Sequence, residues 1–592
     1  MPNNLLRQPN FAALVTLVWL LVALMLLLQH WTQTAETLFD TDDAMRLAQL
    51  RDWLGGQGWY DLHQWRVMPG YESHWSRLID AGLAGTLWFF GLFFDVSMAE
   101  RLMRTVWPML WLLPTMAGMT AIAWRLGGRE AALVALLLAL VGLPAFHQFR
   151  PGRIDHHNVQ IALSVLAVAA TVWSDRVRWA ALAAGVLTGL AIGVGLECLP
   201  YLLVCAVAFA LRYALDPAGA RPAADYGLAL AASALAMFFL LVGPQSRGHA
   251  VCDAIAINWV ALVGIGGLGL AAAGYFASPS QGRPLAVRLA CTLAIGAAAT
   301  AVFLAIEPRC LKGPYAMMDA QVWSIWLSDV REMQPLATLI LKTPVTGLAV
   351  AAFPVAAVVA ALVLLRDPAG RRDFGVLTAV AAFVVAFLTT LAAVKAYSYA
   401  TWLGMPLVAA LALRLFAALR VQRLIPRVAL SLLLTPAVLS VGALGIAQAA
   451  GLNDRKGPDS PDRPAHDACL DNASYAGLAR LPAGVVAADL DYGPFLLALT
   501  PHRILAAPYH RLSAGILAAR EIFASPPEGA HGALRRLGVT YIATCGTRGP
   551  SDLPKSELEA SFAGRLQAKD VPDWLEPVAT GEGPFTVYRV KS

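Results

Sequence analysis

Hydrophobic periodicity divides the chain into long apolar runs separated by short polar ones. The first runs about Phe11–Gln29. Twelve more lie near Met103–Trp124, Ala131–Phe149, Asn158–Trp173, Trp179–Gly195, Leu199–Arg212, Tyr226–Val242, Ala254–Phe276, Ala286–Ile306, Leu336–Leu365, Phe374–Val394, Tyr399–Leu419 and Val428–Ala449. A helix needs roughly 20 apolar residues to cross a bilayer, so the pattern predicts about 13 transmembrane helices over residues 1–450. Ala81–Phe94 is shorter and ends at Asp95, which predicts a re-entrant or interfacial segment. Beyond the Pro- and Asp-rich stretch Asn453–Pro464 the pattern changes. Short runs at Gly484–Ala488, Arg503–Ala507, Val539–Cys545 and Phe585–Val590 read as strands. Helical stretches near Ser513–Phe523 and Gly532–Leu537 alternate with them, predicting an α/β domain over residues 451–592.

Composition agrees with the pattern. Of 592 residues, 58% are hydrophobic and only 14% charged, against about 25% charged in soluble domains; the mean hydropathy is +0.59. The chain reads as a polytopic α-helical membrane protein. Its net charge of +6 sits mostly in short loops, the pattern of topology determinants and not of a nucleic-acid surface. Thirteen spans with a cytoplasmic N-terminus put RLGGR, SDRVR, Arg212–Asp225, Ser278–Arg288, RDPAGRRD and RVQRLIPR inside, all carrying Arg as the positive-inside rule requires. Four segments then face outward: residues 29–80, 150–157, 307–335 and the tail. The seven cysteines contain no CxxC pair. Cys469 and Cys545 in the tail read equally as a disulfide in an oxidising compartment and as isolated thiols.

The outward segments carry the candidate chemistry. FDTDDAMR holds Asp40, Asp42 and Asp43 within four residues at a membrane edge. Carboxylates that close are tolerable when a cation neutralises them or when they stay in water, so a metal site and a solvated acidic turn both fit. RPGRIDHHN offers Asp155, His156 and His157, a donor set for Mg²⁺, Mn²⁺ or Zn²⁺ and equally a helix start. On one face of the membrane the two segments favour metal, with Asp42, Asp155 and His157 as ligands. SDVREMQP adds Arg331, suited to an anion, and Glu332, suited to the metal shell or an acceptor. VKAYSY adds Lys395 with Tyr397 and Tyr399; snorkelling and an aromatic belt account for these, as does a phosphate leaving group.

This order of parts resembles the catalytic subunit of oligosaccharyltransferase, of the single-chain bacterial and archaeal type, within the GT-C class of membrane glycosyltransferases. In that family an outer-loop Asp is followed nine residues later by a basic residue, as Asp42 is by Arg51. Its Gly-x-x-Asp-x-acid pattern is matched by GRIDHH with Asp155, His157 standing where the family has an acid. DVREMQP matches the later Glu-bearing motif at Glu332. The family's Trp-Trp-Asp-Tyr-Gly is here Asp489-Leu490-Asp491-Tyr492-Gly493, lacking both Trp.

The resemblance implies a GT-C membrane domain with a C-terminal extracytoplasmic α/β domain. It further implies a polyprenyl-phosphate or -diphosphate sugar donor, a divalent metal (Mg or Mn), and transfer on the outer side of a bacterial cytoplasmic (inner) membrane, with the C-terminal domain periplasmic. Asp42 or Asp43 would orient or deprotonate the acceptor and Glu332 would assist. Arg331 and Lys395, with Tyr397, would hold the donor, and Asp491 and Tyr492 would stand in the acceptor region. The altered tail motif points to a glycan, a lipid or a protein site other than the usual sequon. A transporter or flippase of a lipid-linked glycan is the competing class. It calls for buried midplane charges and related halves, neither of which the sequence has. A non-catalytic scaffold leaves the acidic and His loops without a role.

Overall fold

The computed structural model describes residues 9–68, 70–276, 284–454, 468–546, 553–581 and 583–591. The expected linker beyond Asp454, and the expected inner loop at residues 278–288 as far as Arg283, lie outside them. Among the described residues eight helices are long and apolar enough to cross a membrane, and the bent pair Leu424–Leu433 and Pro436–Ala449 makes a ninth candidate. Three shorter apolar helices, His157–Trp173, Ala180–Val194 and Leu199–Leu215, pack among them. Val96–Leu140 is counted once but is not one span. At 45 residues it would reach roughly 68 Å, and it breaks at Gly127 and Gly128, the latter at φ +68°. A left-handed backbone suits glycine and interrupts a right-handed helix. With that break, a helix stands at every apolar stretch named above.

The two ends of the bundle are chemically distinct. At one end Arg125 of RLGGR binds Asp175 of SDRVR at 2.8 Å and Asp373 of RDPAGRRD at 3.0 Å, and Arg427 binds Glu130. The Arg-rich loops expected on one side therefore meet each other. At the other end gather the first outer loop, the GRIDHH turn and the C-terminal domain.

The first outer loop is not irregular. Ser76 caps the helix Arg77–Gly91, the segment expected as re-entrant or interfacial. It is joined to the helix Thr41–Leu54 by a fully buried network: Asp80 accepts from Arg46 at 3.0 Å, Gln49 at 2.7 Å and Arg77 at 2.9 Å. Burying two guanidinium groups is tolerable because this carboxylate answers both. Trp75 lies 4.5 Å beneath Arg46. The Thr41–Leu54 helix is thereby held rigidly at the bundle's end.

The C-terminal sheet has strands β1 (Val485–Ala487), β2 (Arg503–Ile504), β3 (Tyr541–Cys545), β4 (Leu575–Val578) and β5 (Phe585–Val590), ordered β2-β1-β3-β5-β4. β1 runs parallel to β2 and β3, while β5 is antiparallel to β3 and β4. β4 was not foreseen: its two central residues are exposed, so it lacks an apolar run. The helix Gly493–Leu499, just after the DYG motif, packs on the Thr41–Leu54 helix. Arg51 clinches this by donating to the Ala498 carbonyl at 2.6 Å. Cys469 and Cys545 form a disulfide, and a second joins Cys252 to Cys310. Cys310, Cys469 and Cys545 lie on segments expected to face outward, and Cys252 in the loop before the helix Ile257–Phe276; Cys198, Cys205 and Cys291 are free.

Candidate active site

FDTDD is a helix start. Asp40 is the N-cap, its Oδ1 accepting from the backbone N–H groups of Asp42 (3.0 Å) and Asp43 (3.1 Å). These donors have no partner within the helix, and a carboxylate also suits the positive end of its dipole. The Asp40 side chain is 41% exposed, but it also pairs with Arg153.

The three aspartates take three different roles. Asp43 is buried and saturated: Oδ1 accepts from the backbone N–H groups of Ile154 (2.6 Å) and Asp155 (3.1 Å), and Oδ2 from Arg153 (3.0 Å). It therefore clamps the GRIDHH turn to the first outer loop. Its hydrogen bonds go to the turn's backbone and to Arg153, a clamping role in place of the catalytic one expected. Asp42 is the opposite case. No hydrogen bond or ion pair among the described residues holds its carboxylate. Its pKa is pushed up to about 7, first by burial and then by the charges of Asp155 and Glu332.

Asp155 is buried. Its Oδ1 accepts from the His157 N–H at 3.0 Å, and its Oδ2 meets Arg153 at 2.6 Å and His157 Nδ1 at 2.8 Å. Burial opposes its charge, but Arg153 and His157 outweigh burial and hold the carboxyl well below the usual range. The turn that presents it depends on Gly152, at φ +102° with Phe39 3.4 Å from where a Cβ would sit. His157 Nε2 points away from Asp155 to Glu197 Oε2 at 3.0 Å. The other Glu197 oxygen accepts from Lys395 Nζ at 2.6 Å. Ligand atoms of His156, His157 and Glu197 all lie within 4.8 Å of one another.

Asp42, Asp155, His157 and Lys395 thus converge, as the sequence suggested. Glu332 is exposed but within electrostatic reach of Asp42 and Lys395. Arg331 is exposed in the same turn. Tyr397 does not join them, since its hydroxyl lies beside Thr401 and Ser440. Tyr399 takes that place, stacked on Tyr201 at 4.2 Å. Tyr492 is no substrate contact either: it is 1% exposed and packs edge-on against Phe585 in the domain core. Asp491, beside it, is half-buried.

Three further residues complete the site. Arg153 is 3% exposed and reaches Asp40, Asp43, Asp155 and Gln148, supplying the cation that makes the acidic cluster tolerable. Its position inside GRIDHH was the available signal. Glu197 stands alone among apolar residues in GVGLECLP, and such isolation is itself a functional signal. Tyr509 donates to the Thr41 carbonyl at 2.8 Å and packs against Trp75. No sequence feature marks it, because only the docked C-terminal domain brings it beside Asp42.

No protein-family model matches the chain, and no curated protein matches it. Solved structures do. The oligosaccharyltransferase AglB of Archaeoglobus fulgidus in its apo form aligns with a TM-score of 0.65 at 15% identity, covering 91% of this chain and 70% of that one. Its complex with an inhibitory peptide and a dolichol-phosphate aligns at 0.63 and 13%, covering 90% and 69%. A complex of the same enzyme with Zn and sulfate aligns at 0.58 and 14%, covering 89% and 68%. The chain has the GT-C membrane fold of oligosaccharyltransferases, as its motif order implied.

Proposed function

We propose that this protein is a glycosyltransferase that moves a sugar or oligosaccharide from a polyprenyl phosphate or diphosphate to an acceptor on the outer side of a bacterial cytoplasmic membrane. Thirteen spans, as the apolar pattern predicts, with a cytoplasmic N-terminus would place the C-terminal domain in the periplasm. What carries the reading is one convergence at the outer end of the bundle: a partnerless carboxylate, Asp42, beside Asp155, His157, Glu197 and Lys395. The two disulfides on the same side fit an oxidising compartment. The shared fold supports a lipid-linked donor, because one solved structure of that fold, the archaeal AglB, holds a dolichol-phosphate and an inhibitory peptide.

The residues fit a divalent cation. Asp42 has both oxygens free, Asp155 Oδ1 accepts only one backbone N–H, and His157 Nε2 faces Glu197. One ligand atom each of His156, His157 and Glu197 lies within 4.8 Å of the others; these three would hold the ion, with Asp42 and Asp155, the carboxylates expected from the sequence, as further donors beside them. Mixed oxygen and imidazole donors suit Mn²⁺ better than Mg²⁺. When bound, such an ion neutralises charge developing on a departing phosphate oxygen.

The chain's own residues supply the rest. Asp43 and Arg153 keep the first outer loop and the GRIDHH turn in register. Lys395, held by Glu197, presents an ammonium to the donor phosphate, and Arg331 adds a cation from the exposed turn of the loop at residues 307–335. Asp42 orients or deprotonates the acceptor for in-line attack at the anomeric carbon, with Glu332 assisting. Asp491, on the segment that buttresses the Asp42 helix, is the acceptor-side candidate. The missing Trp pair argues for an acceptor other than the usual sequon. Mass spectrometry of glycans, lipids and proteins from cells with and without the protein tests this: loss of one glycoform is expected. Accumulation of the lipid-linked precursor on the inner leaflet would favour a flippase instead.

A further inference from the structure

A second cluster of ligating side chains lies outside this site. His74 comes from the first outer loop, Asp253 from the segment before the helix Ile257–Phe276, and His510 from the C-terminal domain. One ligand atom of each lies within 4.8 Å of the others. His510 Nε2 meets Asp253 Oδ2 at 2.6 Å, and the two imidazole rings are 4.6 Å apart. His74 Nδ1 is buried with no hydrogen-bond partner. A buried polar atom without a partner calls for an explanation, an unseen ion among them.

We propose that His74, Asp253 and His510 form a second divalent-cation site, of the zinc class, that fastens the C-terminal domain to the outer loops. Two imidazoles and one carboxylate are a three-ligand zinc set with a fourth position open. Arg511 supports the arrangement from outside. Its Nη2 and Nε bind the Asp253 carboxylate at 2.7 Å each, the hydrogen bonding that orients a ligating carboxylate. The Cys252–Cys310 disulfide anchors the residue next to Asp253. The three ligands come from segments far apart in sequence, so a shared ion would cross-link them. Without an ion, the same residues form an Asp253–Arg511 latch, which is the alternative the test must exclude.

The test is zinc content of the full-length protein in detergent, stripped with chelator, re-equilibrated with Zn²⁺ and freed of excess. About two equivalents per chain are expected in the wild type and about one in His74→Ala and in His510→Gln. The Asp42→Asn/Asp155→Asn double variant should retain about one, lost when His510→Gln is added. Monodispersity and tryptophan fluorescence establish that each variant is folded. Wild-type zinc content in both His variants, or no anomalous zinc peak among the three side chains, overturns the proposal. If zinc is lost with the His variants but not with the Asp pair, the second site stands and the metal reading of the Asp42 site falls.

Discussion

Replacing Arg153 with Met removes the cation on which the acidic cluster depends. Arg153 is 3% exposed, and its partners Asp43 and Asp155 are 1% and 0% exposed at 3.0 and 2.6 Å. Solvent cannot take over from it, and Met fills most of the volume, so the loss is electrostatic. Breaking a buried pair by removing one partner costs about 3–5 kcal/mol. Two carboxylates lose the same partner here, but Asp43 keeps two backbone N–H donors. Asp155 likewise keeps the His157 N–H and Nδ1, so a value in that range, not its double, is expected. The assay is denaturant unfolding in detergent with chelator present, followed by tryptophan fluorescence. The variant Arg153→Met/Asp43→Asn should recover part of the loss, because one uncompensated charge is gone; coupling of about 1–3 kcal/mol is expected for groups in contact. A loss under about 1 kcal/mol, typical of exposed pairs, or a strictly additive cycle, would refute the reasoning.

Tyr492→Ala should destabilise the C-terminal domain by about 3–5 kcal/mol as a large aromatic is cut from a packed core. If it instead leaves folding intact and slows transfer alone, Tyr492 is a substrate contact after all. Thiol titration of the denatured, unreduced protein should find the three free cysteines Cys198, Cys205 and Cys291, and all seven after reduction; seven from the start would remove the argument for an oxidising compartment.

Much of this molecule was legible before its coordinates. Spans announce themselves because a bilayer demands long apolar runs, and Arg-rich loops announce their side. Asp42, Asp155, His157 and Lys395 could be gathered because motif order and span parity put them at one end. What stayed hidden were pairings between distant segments. Whether Asp43 is a catalyst or a clamp depends on which backbone N–H groups face it, and those belong to Ile154 and Asp155. Glu197 acquires its meaning only when Lys395 and His157 flank it. Tyr397 and Tyr399 differ by two residues, a rotation of about 200° on a helix, so only packing could say which one turns toward the site. Tyr492 was misplaced because its motif lies next to the site in sequence order while its ring serves the domain core.

The central claim is a lipid-linked sugar donor activated at the Asp42 site. The most direct measurement follows free polyprenyl phosphate or diphosphate released from a polyprenyl-linked sugar by the purified protein, with and without chelator, in wild type and Asp42→Asn. Release that stops on chelation, resumes with Mn²⁺ and is abolished in Asp42→Asn is the expected result. Release unaffected by both chelation and Asp42→Asn would contradict the account.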